Sequence, residues 1–190
     1  MNIEITKKHI KYLLFQRNQY ISKFQLKIKK IFGRYLFTNI FINFFNSKHS
    51  ITKRLNEDFK IEFESIENFI PKNVSNILDI GCGLGVINIF LNIFYSNKCN
   101  FTLIDKTYVN KKITYGFSNK GEFYNNLELT KDFLLQNKLK ENQLEIIDAS
   151  KNFTLKKKYD LIISLFSMGY HYSIDLYIEK IKKVSKKNTK

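Results

Sequence analysis

Three alternate glycines directly follow a short apolar segment that contains one acid. Residues 77–85 read Ile-Leu-Asp-Ile-Gly-Cys-Gly-Leu-Gly, which predicts that Gly81, Cys82, Gly83 and Gly85 form a turn between a strand and a helix. Because such a turn has little side-chain bulk, a ligand can lie against bare backbone, with amide N–H groups at the start of the helix facing it. The alternative is an ordinary glycine turn in an α/β protein.

The spacing of the glycines and the acid at Asp79 narrow the choice of ligand. A dinucleotide-binding turn reads G-x-G-x-x-G, whereas here the third glycine comes one residue early and Val86 occupies the later position. Asp79 lies two residues before the first glycine, where a carboxylate would repel a pyrophosphate and attract an amino group. The segment therefore favours a ligand with an amino group over a dinucleotide.

Two further acids follow apolar segments that we interpret as parallel strands. Asp105 closes the second strand, 20 residues after Gly85, and Asp148 closes the third. Because ligands of a doubly wound sheet bind outside the carboxyl ends of its strands, Asp79, Asp105 and Asp148 should meet at one rim. A carboxylate at Asp105 can accept both hydroxyls of a ribose without a metal. Each acid can instead close a strand or cap a turn with no ligand.

The glycine segment resembles a known family. Residues 77–85 closely resemble motif I of the class I S-adenosylmethionine-dependent methyltransferases, and the resemblance covers about residues 74–187. It implies a Rossmann-like fold with S-adenosyl-L-methionine as the cofactor. In that family the position of Asp105 binds the ribose, that of Asp148 accepts the exocyclic amine of adenine, and that of Asp79 orders the methionine portion, often through water. The predicted cofactor-binding residues are Asp79, Gly81, Cys82, Gly83, Gly85, Asp105, Lys106, Asp148, Ala149 and Ser164.

The residues after the fourth strand lie where this family places its methyl acceptor. Residues 164–172 read Ser-Leu-Phe-Ser-Met-Gly-Tyr-His-Tyr and lack the N/D-P-P-Y/F tetrad with which amino-methyltransferases hold a planar amine. His171, between Tyr170 and Tyr172, is the predicted catalytic residue, since an imidazole can take a proton from a hydroxyl near neutral pH. It can instead cap a helix or pack. Together with Gly116-Phe117 and residues 123–126, this segment is similar to uncharacterised sugar O-methyltransferases.

The sequence therefore predicts methyl transfer to an oxygen of a small molecule or saccharide. One alternative is an RNA or DNA methyltransferase that holds phosphates with the basic ends of the chain. Another is a cofactor-binding protein without activity. His9 and His49 have no carboxylate or cysteine at ligand spacing, so no metal is predicted.

Hydrophobic periodicity predicts an α/β protein, a Rossmann-like, doubly wound parallel sheet with an N-terminal helical extension. The extension takes residues 1–70 and the sheet domain residues 71–190. In the extension we predict a basic amphipathic helix over 7–46, broken near Gly33, and a helix over 53–69 capped by Ser50 or Thr52. The sheet domain should contain strands at 74–80, 100–104, 144–147 and 159–166, helices at 84–95, 123–137 and 174–184, and a small hairpin around Asn110-Lys111.

The chain carries a net charge of +15, and the charge is unevenly placed. Residues 1–60 hold 13 Lys or Arg and three acids, residues 61–175 hold 13 of each sign, and residues 176–190 hold six Lys and one acid. The basic ends suit nucleic acid, a peripheral contact with an anionic membrane or an acidic substrate, or they are a solvated face with no partner. The neutral centre favours a small substrate.

The cysteines and the N-terminal residues indicate the cellular compartment, and the C-terminal residues indicate how much of the resembled fold the sequence covers. Two cysteines without disulfide or zinc spacing, and no signal peptide in residues 1–12, predict a cytoplasmic protein. The apolar run at 31–45 is shorter than a membrane span. The resembled family continues with a fifth strand and an antiparallel pair, whereas this sequence ends at Lys190. We expect an open edge at the fourth strand, covered by the N-terminal helices or by a partner chain, or else a truncated enzyme with little activity.

Overall fold

The computed structural model describes residues 3–38, 48–109, 124–169 and 173–190. The helices in these ranges are α1 (Lys7–Gln16), α2 (Lys23–Leu36), α3 (Lys48–Glu67), α4 (Val86–Phe94), α5 (Leu127–Gln136) and α6 (Asp175–Val184). The strands are β1 (Asn76–Ile80), β2 (Asn100–Asp105), β3 (Tyr108–Val109), β4 (Tyr124–Asn125), β5 (Leu144–Asp148) and β6 (Leu161–Ile163).

Four parallel strands form the central sheet in the order β5-β2-β1-β6, which confirms the predicted α/β class. β1 pairs with β2 up to Ile80↔Ile104, and β2 pairs with β5 up to Asp105↔Asp148. The chain moves outward from β1 through β2 to β5 and then returns to the other side of β1. Strand order therefore reverses at β1, and a doubly wound sheet opens a crevice for ligands outside the carboxyl ends of the strands at that point.

Both faces of the sheet are covered, which explains why its strands are apolar almost throughout. Ile77 of β1 and Phe101 of β2 belong to a large hydrophobic cluster with residues of α1, α3, α4 and α5. Leu78 and Ile104 point to the other face and pack in a smaller cluster with Val184 of α6. The large cluster contains residues of both predicted ranges, 1–70 and 71–190, and the boundary between these ranges stays a prediction.

The helices of the N-terminal region differ in part from the prediction. The predicted single helix over 7–46 is wrong at residues 17–22, because α1 ends at Gln16 and α2 begins at Lys23. Gly33 interrupts α2 with φ 77 and ψ 158, close to the predicted break, and residues 39–47 of the predicted helix lie outside the described ranges. The expected cap at Ser50 or Thr52 is wrong, since α3 begins at Lys48 and the Thr52 hydroxyl donates to the Lys48 carbonyl at 2.8 Å. A threonine hydroxyl can donate to the backbone carbonyl one helical turn earlier as readily as it can accept an amide as an N-cap. Within the described ranges no helix is long and apolar enough to cross a membrane.

The outer edge of β6 is paired at two points with the last residues of the chain. The Tyr159 amide donates to the Val184 carbonyl at 2.9 Å. Further along, the Lys190 amide donates to the Asp160 carbonyl at 3.2 Å and the Ile162 amide donates to the Lys190 carbonyl at 2.9 Å. The edge that the sequence predicts to be open is therefore partly occupied by backbone of residues 184–190.

Asp160 has a structural role at the start of the central sheet. One oxygen of its carboxylate accepts the amides of Ser75 and Asn76, both at 3.0 Å, and so fixes the start of β1. Its other oxygen pairs with Lys186. Although partial burial acts in the opposite direction, these hydrogen bonds hold the pKa of Asp160 below its usual value.

Candidate cofactor site

The glycine turn lies at the carboxyl end of β1, between β2 and the start of α4. Gly85 precedes α4 with φ 71, and a Cβ there would lie 3.3 Å from a methyl carbon of Leu134. Gly83 has φ 56. A side chain is disfavoured at both positions, by the left-handed backbone and, at Gly85, by the close approach of α5.

Four backbone amide groups of the glycine turn donate hydrogen bonds within the protein. The Gly81 and Cys82 amides both donate to the Ile104 carbonyl of β2, at 2.7 and 3.2 Å, and the Gly85 amide donates to the Cys82 carbonyl at 2.8 Å. The Gly83 amide donates to the Asp105 carboxylate. These four amides are therefore occupied within the protein, and the expectation that amides at the start of the helix face a ligand stays a prediction. What they leave for a ligand is glycine backbone, with the Gln16 side chain of α1 packed against Gly83.

Asp105, the last residue of β2, lies directly against the glycine turn. Its Oδ2 accepts the Gly83 amide at 2.7 Å and the Asn125 side-chain amide at 3.2 Å, and its Oδ1 accepts the Lys106 amide at 2.7 Å. Burial raises the pKa of this carboxyl to about 6, although the three donors act in the opposite direction. A carboxylate offers about four lone-pair directions, and the described residues occupy three of them, which leaves one direction on Oδ1 unused by these residues.

Asn125 and Thr130 complete the contacts of the turn, and sequence reasoning did not assign either of them a role. The Asn125 side chain donates to the Gly83 carbonyl at 2.7 Å, and the Thr130 hydroxyl donates to the same carbonyl at 2.8 Å. Both side chains are buried. The sequence signal is weak, because Asn125 is followed by Asn126, which caps α5 by accepting the amides of Glu128 and Leu129. Either asparagine could have been the cap.

Asp79 lies deeper in the sheet than Asp105. It is 2% exposed, and its carboxylate accepts the Asn88 side-chain amide at 2.6 Å. Burial raises the pKa of Asp79 to about 7, the charge of Asp105 adds to this, and the hydrogen bond from Asn88 opposes it. The Oδ1 atom of Asn88 is buried and accepts no hydrogen bond from the described residues. A polar ligand atom or a water that donates to this oxygen would satisfy it.

The remaining predicted residues surround the same rim. Asp148 pairs in register with Asp105, and the Ala149 amide donates to the Asp105 carbonyl at 2.8 Å. Asp148 is partly exposed, and its pKa is held below the usual value, against the effect of burial, by the Ser150 amide and by nearby lysine charges. Ser164 joins the ends of two strands, since its hydroxyl donates to the Ile80 carbonyl at 2.7 Å.

Cys82 and Lys106 complete the predicted set. Burial raises the pKa of the Cys82 thiol, which makes it a poor nucleophile at neutral pH. The Lys106 ammonium lies 5.5 Å from the centre of the Tyr108 ring. The structure therefore brings the ten predicted cofactor-binding residues to one end of the sheet, and their contact with a cofactor stays a prediction.

The end of α1 covers the turn, which the sequence did not predict. A Cβ on Gly83 would lie 2.8 Å from the Oε1 atom of Gln16. The next residue, Arg17, pairs with both carboxylate oxygens of Glu62 in α3 and lies 4.1 Å from the centre of the Phe59 ring. It also lies 5.5 Å from the ring of Phe166, in the loop after β6. A sequence pattern offers no signal for contacts between such distant segments.

Part of the predicted acceptor side lies outside the described residues. This holds for His171 with Tyr170 and Tyr172, for Gly116-Phe117, and for the hairpin residues Asn110-Lys111. His9 is buried and completes a capping box at the start of α1, in which Thr6 is the N-cap and the Nδ1 atom of His9 accepts the Thr6 amide at 3.3 Å. In the described ranges no group of three His, Cys, Asp or Glu side chains is placed to hold a metal ion.

Comparisons of the chain with known proteins give similarity to solved structures but no matching family model or curated protein. No protein-family model matches it, and no curated protein matches it. Similar solved structures include coclaurine N-methyltransferase bound to N-methylheliamine and SAH, at 18% identity over 77% of this chain and 37% of that one, with a TM-score of 0.47. A SAM-dependent methyltransferase from Thiobacillus denitrificans in complex with S-adenosyl-L-homocysteine matches at 13% identity over 70% and 45%, with a TM-score of 0.46.

A third similar structure is a cyclopropane-fatty-acyl-phospholipid synthase-like protein from Lactobacillus casei, at 17% identity over 74% of this chain and 50% of that one, with a TM-score of 0.49. The chain spans half or less of the length of these three proteins. Identities and TM-scores at this level do not assign a function to the chain.

Proposed function

We propose that the chain is a methyltransferase that uses S-adenosyl-L-methionine. The observation that carries the proposal is the contact between Asp105 and Gly83, because it joins a carboxylate at the end of β2 to the backbone of a glycine-rich turn. A carboxylate in this position suits a ribose, and the glycine backbone suits the methionine portion of the cofactor. The contact also meets the condition that motif I sets, namely an acid on the strand next to the glycine turn.

The residues present fit this cofactor. The lone-pair direction on Oδ1 of Asp105 that the described residues leave unused can accept one hydroxyl, and a second hydroxyl requires the Asn125 side chain to give up its hydrogen bond to Oδ2. Asp148, one strand further out, is an ionised acceptor for an exocyclic amine. Asp79 and the unsatisfied Asn88 Oδ1 are acceptors behind the turn for an amino group or for a water that it binds. The cofactor would supply a methyl group activated by a positive sulfur.

The proposed acceptor is a hydroxyl of a small molecule or saccharide. Two features support an oxygen acceptor: the missing N/D-P-P-Y/F tetrad, and His171 as a base that can remove the hydroxyl proton. The neutral charge of residues 61–175 supports a small acceptor rather than a nucleic acid. In this proposal the protein contributes mainly by positioning the two reactants in line.

Binding of S-adenosylhomocysteine, measured by titration calorimetry, tests the cofactor part. We expect one site per chain, and no heat of binding at any concentration up to the millimolar range would contradict the proposal. Asp132, an exposed acid on α5, provides a matched control. Asp132→Asn should bind like the natural chain, whereas Asp105→Asn should bind more weakly with unchanged circular dichroism.

Transfer of labelled methyl from S-adenosyl-L-methionine to a panel of saccharides and phenols tests the acceptor part. His171→Ala should lower the turnover number and leave the affinity for S-adenosylhomocysteine unchanged. Transfer to RNA or DNA with none to the panel would favour the nucleic-acid alternative. Binding of S-adenosylhomocysteine without transfer to any acceptor would favour a cofactor-binding protein without activity.

A further inference from the structure

Helix α2 exposes large apolar side chains on its solvent side. Ile31 is 77% exposed and Phe24 is 63% exposed. They are seven positions apart, which places them within about 20° of each other around a helix of 3.6 residues per turn. Both precede the break at Gly33, so they belong to one regular helical segment.

The buried side of the same helix is occupied by other residues. Gln25 is 5% exposed, Ile21, just before the helix, is 7% exposed, and Ile28 packs partly against the large hydrophobic cluster. The orientation of α2 on the protein is therefore fixed by these residues. The exposed pair at Phe24 and Ile31 lies next to this packed face, since Ile28 is about 40° around the helix from Phe24. Both side chains of the pair are nevertheless mostly exposed.

Lysines border this surface on one side. Lys27 lies about 60° around the helix from Phe24, and Lys23 and Lys30 lie about 100° and 120° away in the same direction. All three are exposed. No acid offsets them nearby in sequence, because residues 5–56 contain no Asp or Glu. An apolar strip beside a basic strip is typical of a helix that lies in the plane of a membrane surface.

We propose that this surface, formed by Phe24, Ile31, Lys23, Lys27 and Lys30, docks on an anionic lipid bilayer. The two apolar side chains enter the boundary of the acyl chains, and the lysine stems lie along it with their ammonium groups among the lipid phosphates. The charge of one sign over residues 5–56 complements the surface of such a membrane. A nucleic acid would satisfy the lysines equally well and would leave Ile31 in water.

Sedimentation with lipid vesicles tests this proposal directly. The full chain should bind vesicles of phosphatidylcholine in which about a third of the lipid is phosphatidylglycerol, and should not bind pure phosphatidylcholine. F24S/I31S should weaken the partition coefficient about a hundredfold, since each side chain loses its apolar transfer free energy. K23Q/K27Q/K30Q should weaken it by a similar factor, at about fivefold per lysine.

Matched control variants distinguish binding by this surface from nonspecific hydrophobic binding and from the effect of net charge alone. Ile61, which is 64% exposed on α3, provides I61S, and the exposed lysines 72, 98 and 187 provide K72Q/K98Q/K187Q. Both controls should bind vesicles like the natural chain. All variants change exposed side chains, so their melting temperatures should match. If F24S/I31S were to unfold, the lysine triple variant and its control would still decide the outcome.

Three results would overturn the proposal. The first is no binding to the anionic vesicles at low salt. The second is equal loss of binding in K23Q/K27Q/K30Q and K72Q/K98Q/K187Q, which would mean that net charge alone is responsible. The third is binding of a double-stranded RNA or DNA that the α2 lysine variant loses and F24S/I31S retains, with vesicle binding unaffected by F24S/I31S.

Discussion

Asp105 should make the affinity for S-adenosylhomocysteine depend on pH. Burial raises the pKa of this carboxyl to about 6, well above that of an aspartate in an unfolded chain. A ribose hydroxyl donates its hydrogen bond to an ionised carboxylate more strongly than to a protonated acid. The ionised form should therefore be the form that binds, and affinity should rise with pH up to about 7 and then level off.

The size of the effect follows from this pKa and from the free energy of a charged hydrogen bond. At pH 5 about one Asp105 side chain in eleven is ionised, so affinity should fall about tenfold relative to neutral pH. A hydrogen bond to a charged acceptor contributes roughly 1.5–3 kcal/mol, so Asp105→Asn should weaken binding at pH 7.5 by about ten- to a hundredfold. The same variant should lose the pH dependence below pH 6.

Calorimetric titrations from pH 5 to 8 measure both effects, with circular dichroism as the check that the chain stays folded at each pH. Asp148→Asn is the matched control. Since the pKa of Asp148 is held below its usual value, Asp148 stays ionised over this range and its variant should keep the dependence below pH 6. Asp79, with a pKa of about 7, accounts for any remaining slope near neutral pH. A flat affinity between pH 5 and 7 in the natural chain would refute this reasoning, as would an unchanged slope in Asp105→Asn.

Three further predictions concern stability. Gly85→Ala should destabilise the protein more than Gly169→Ala, since both have a left-handed φ but only at Gly85 would the new Cβ meet a leucine side chain of α5, at 3.3 Å. Thermal unfolding should show a loss of about 1–2 kcal/mol at Gly169 and about 2–4 kcal/mol at Gly85, and equal losses would contradict this. Asp79→Asn should flatten the pH dependence of urea unfolding. The native pKa of Asp79, about 7, exceeds the unfolded value, so this carboxyl lowers the free energy of unfolding of the natural chain by roughly 4 kcal/mol as pH rises from about 4 to 7; Asp105, with a pKa of about 6, adds a smaller fall that the variant keeps. A natural chain that is equally stable at pH 5 and 7.5 would be the opposite result. Arg17→Met should lower the free energy of unfolding by about 3–5 kcal/mol, because it leaves the Glu62 carboxylate largely buried without its partner. Adding Glu62→Gln should recover part of this loss. A double variant no more stable than Arg17→Met would argue against a stabilising ion pair.

The sheet and the position of its acids followed from local patterns. Apolar runs of strand length alternate with helical periodicity, so the parallel sheet could be predicted, and the rule that parallel strands share a carboxyl edge placed Asp105 and Asp148 together. Their register pairing shows the same arrangement. The local sequence was sufficient to predict the positions of Asp105 and Asp148, because each of these residues is positioned by its own strand.

The residues that line the candidate cofactor site depend on contacts between segments far apart in the sequence, and these contacts could not be predicted from the sequence. Gln16 reaches Gly83 only because α1 packs on the large hydrophobic cluster, and several helical faces could have docked there equally well. Asn125 and Asn126 are identical as letters, yet one reaches back to the turn and the other caps α5. The start of α3 was misplaced for a similar reason, since Thr52 donates within the helix where a cap was expected.

The contact of Gln16 with Gly83 has a consequence for how the protein can be divided. A fragment beginning at residue 71 would keep every strand of the central sheet and all ten residues of the predicted cofactor set. It would nevertheless lack the Gln16 side chain that α1 packs against the turn. It would also expose Phe90 of α4 and Phe133 of α5, against which Phe63 of α3 and His9 of α1 pack. Such a fragment should precipitate on expression, and adding residues 1–70 back as a separate chain should rescue it.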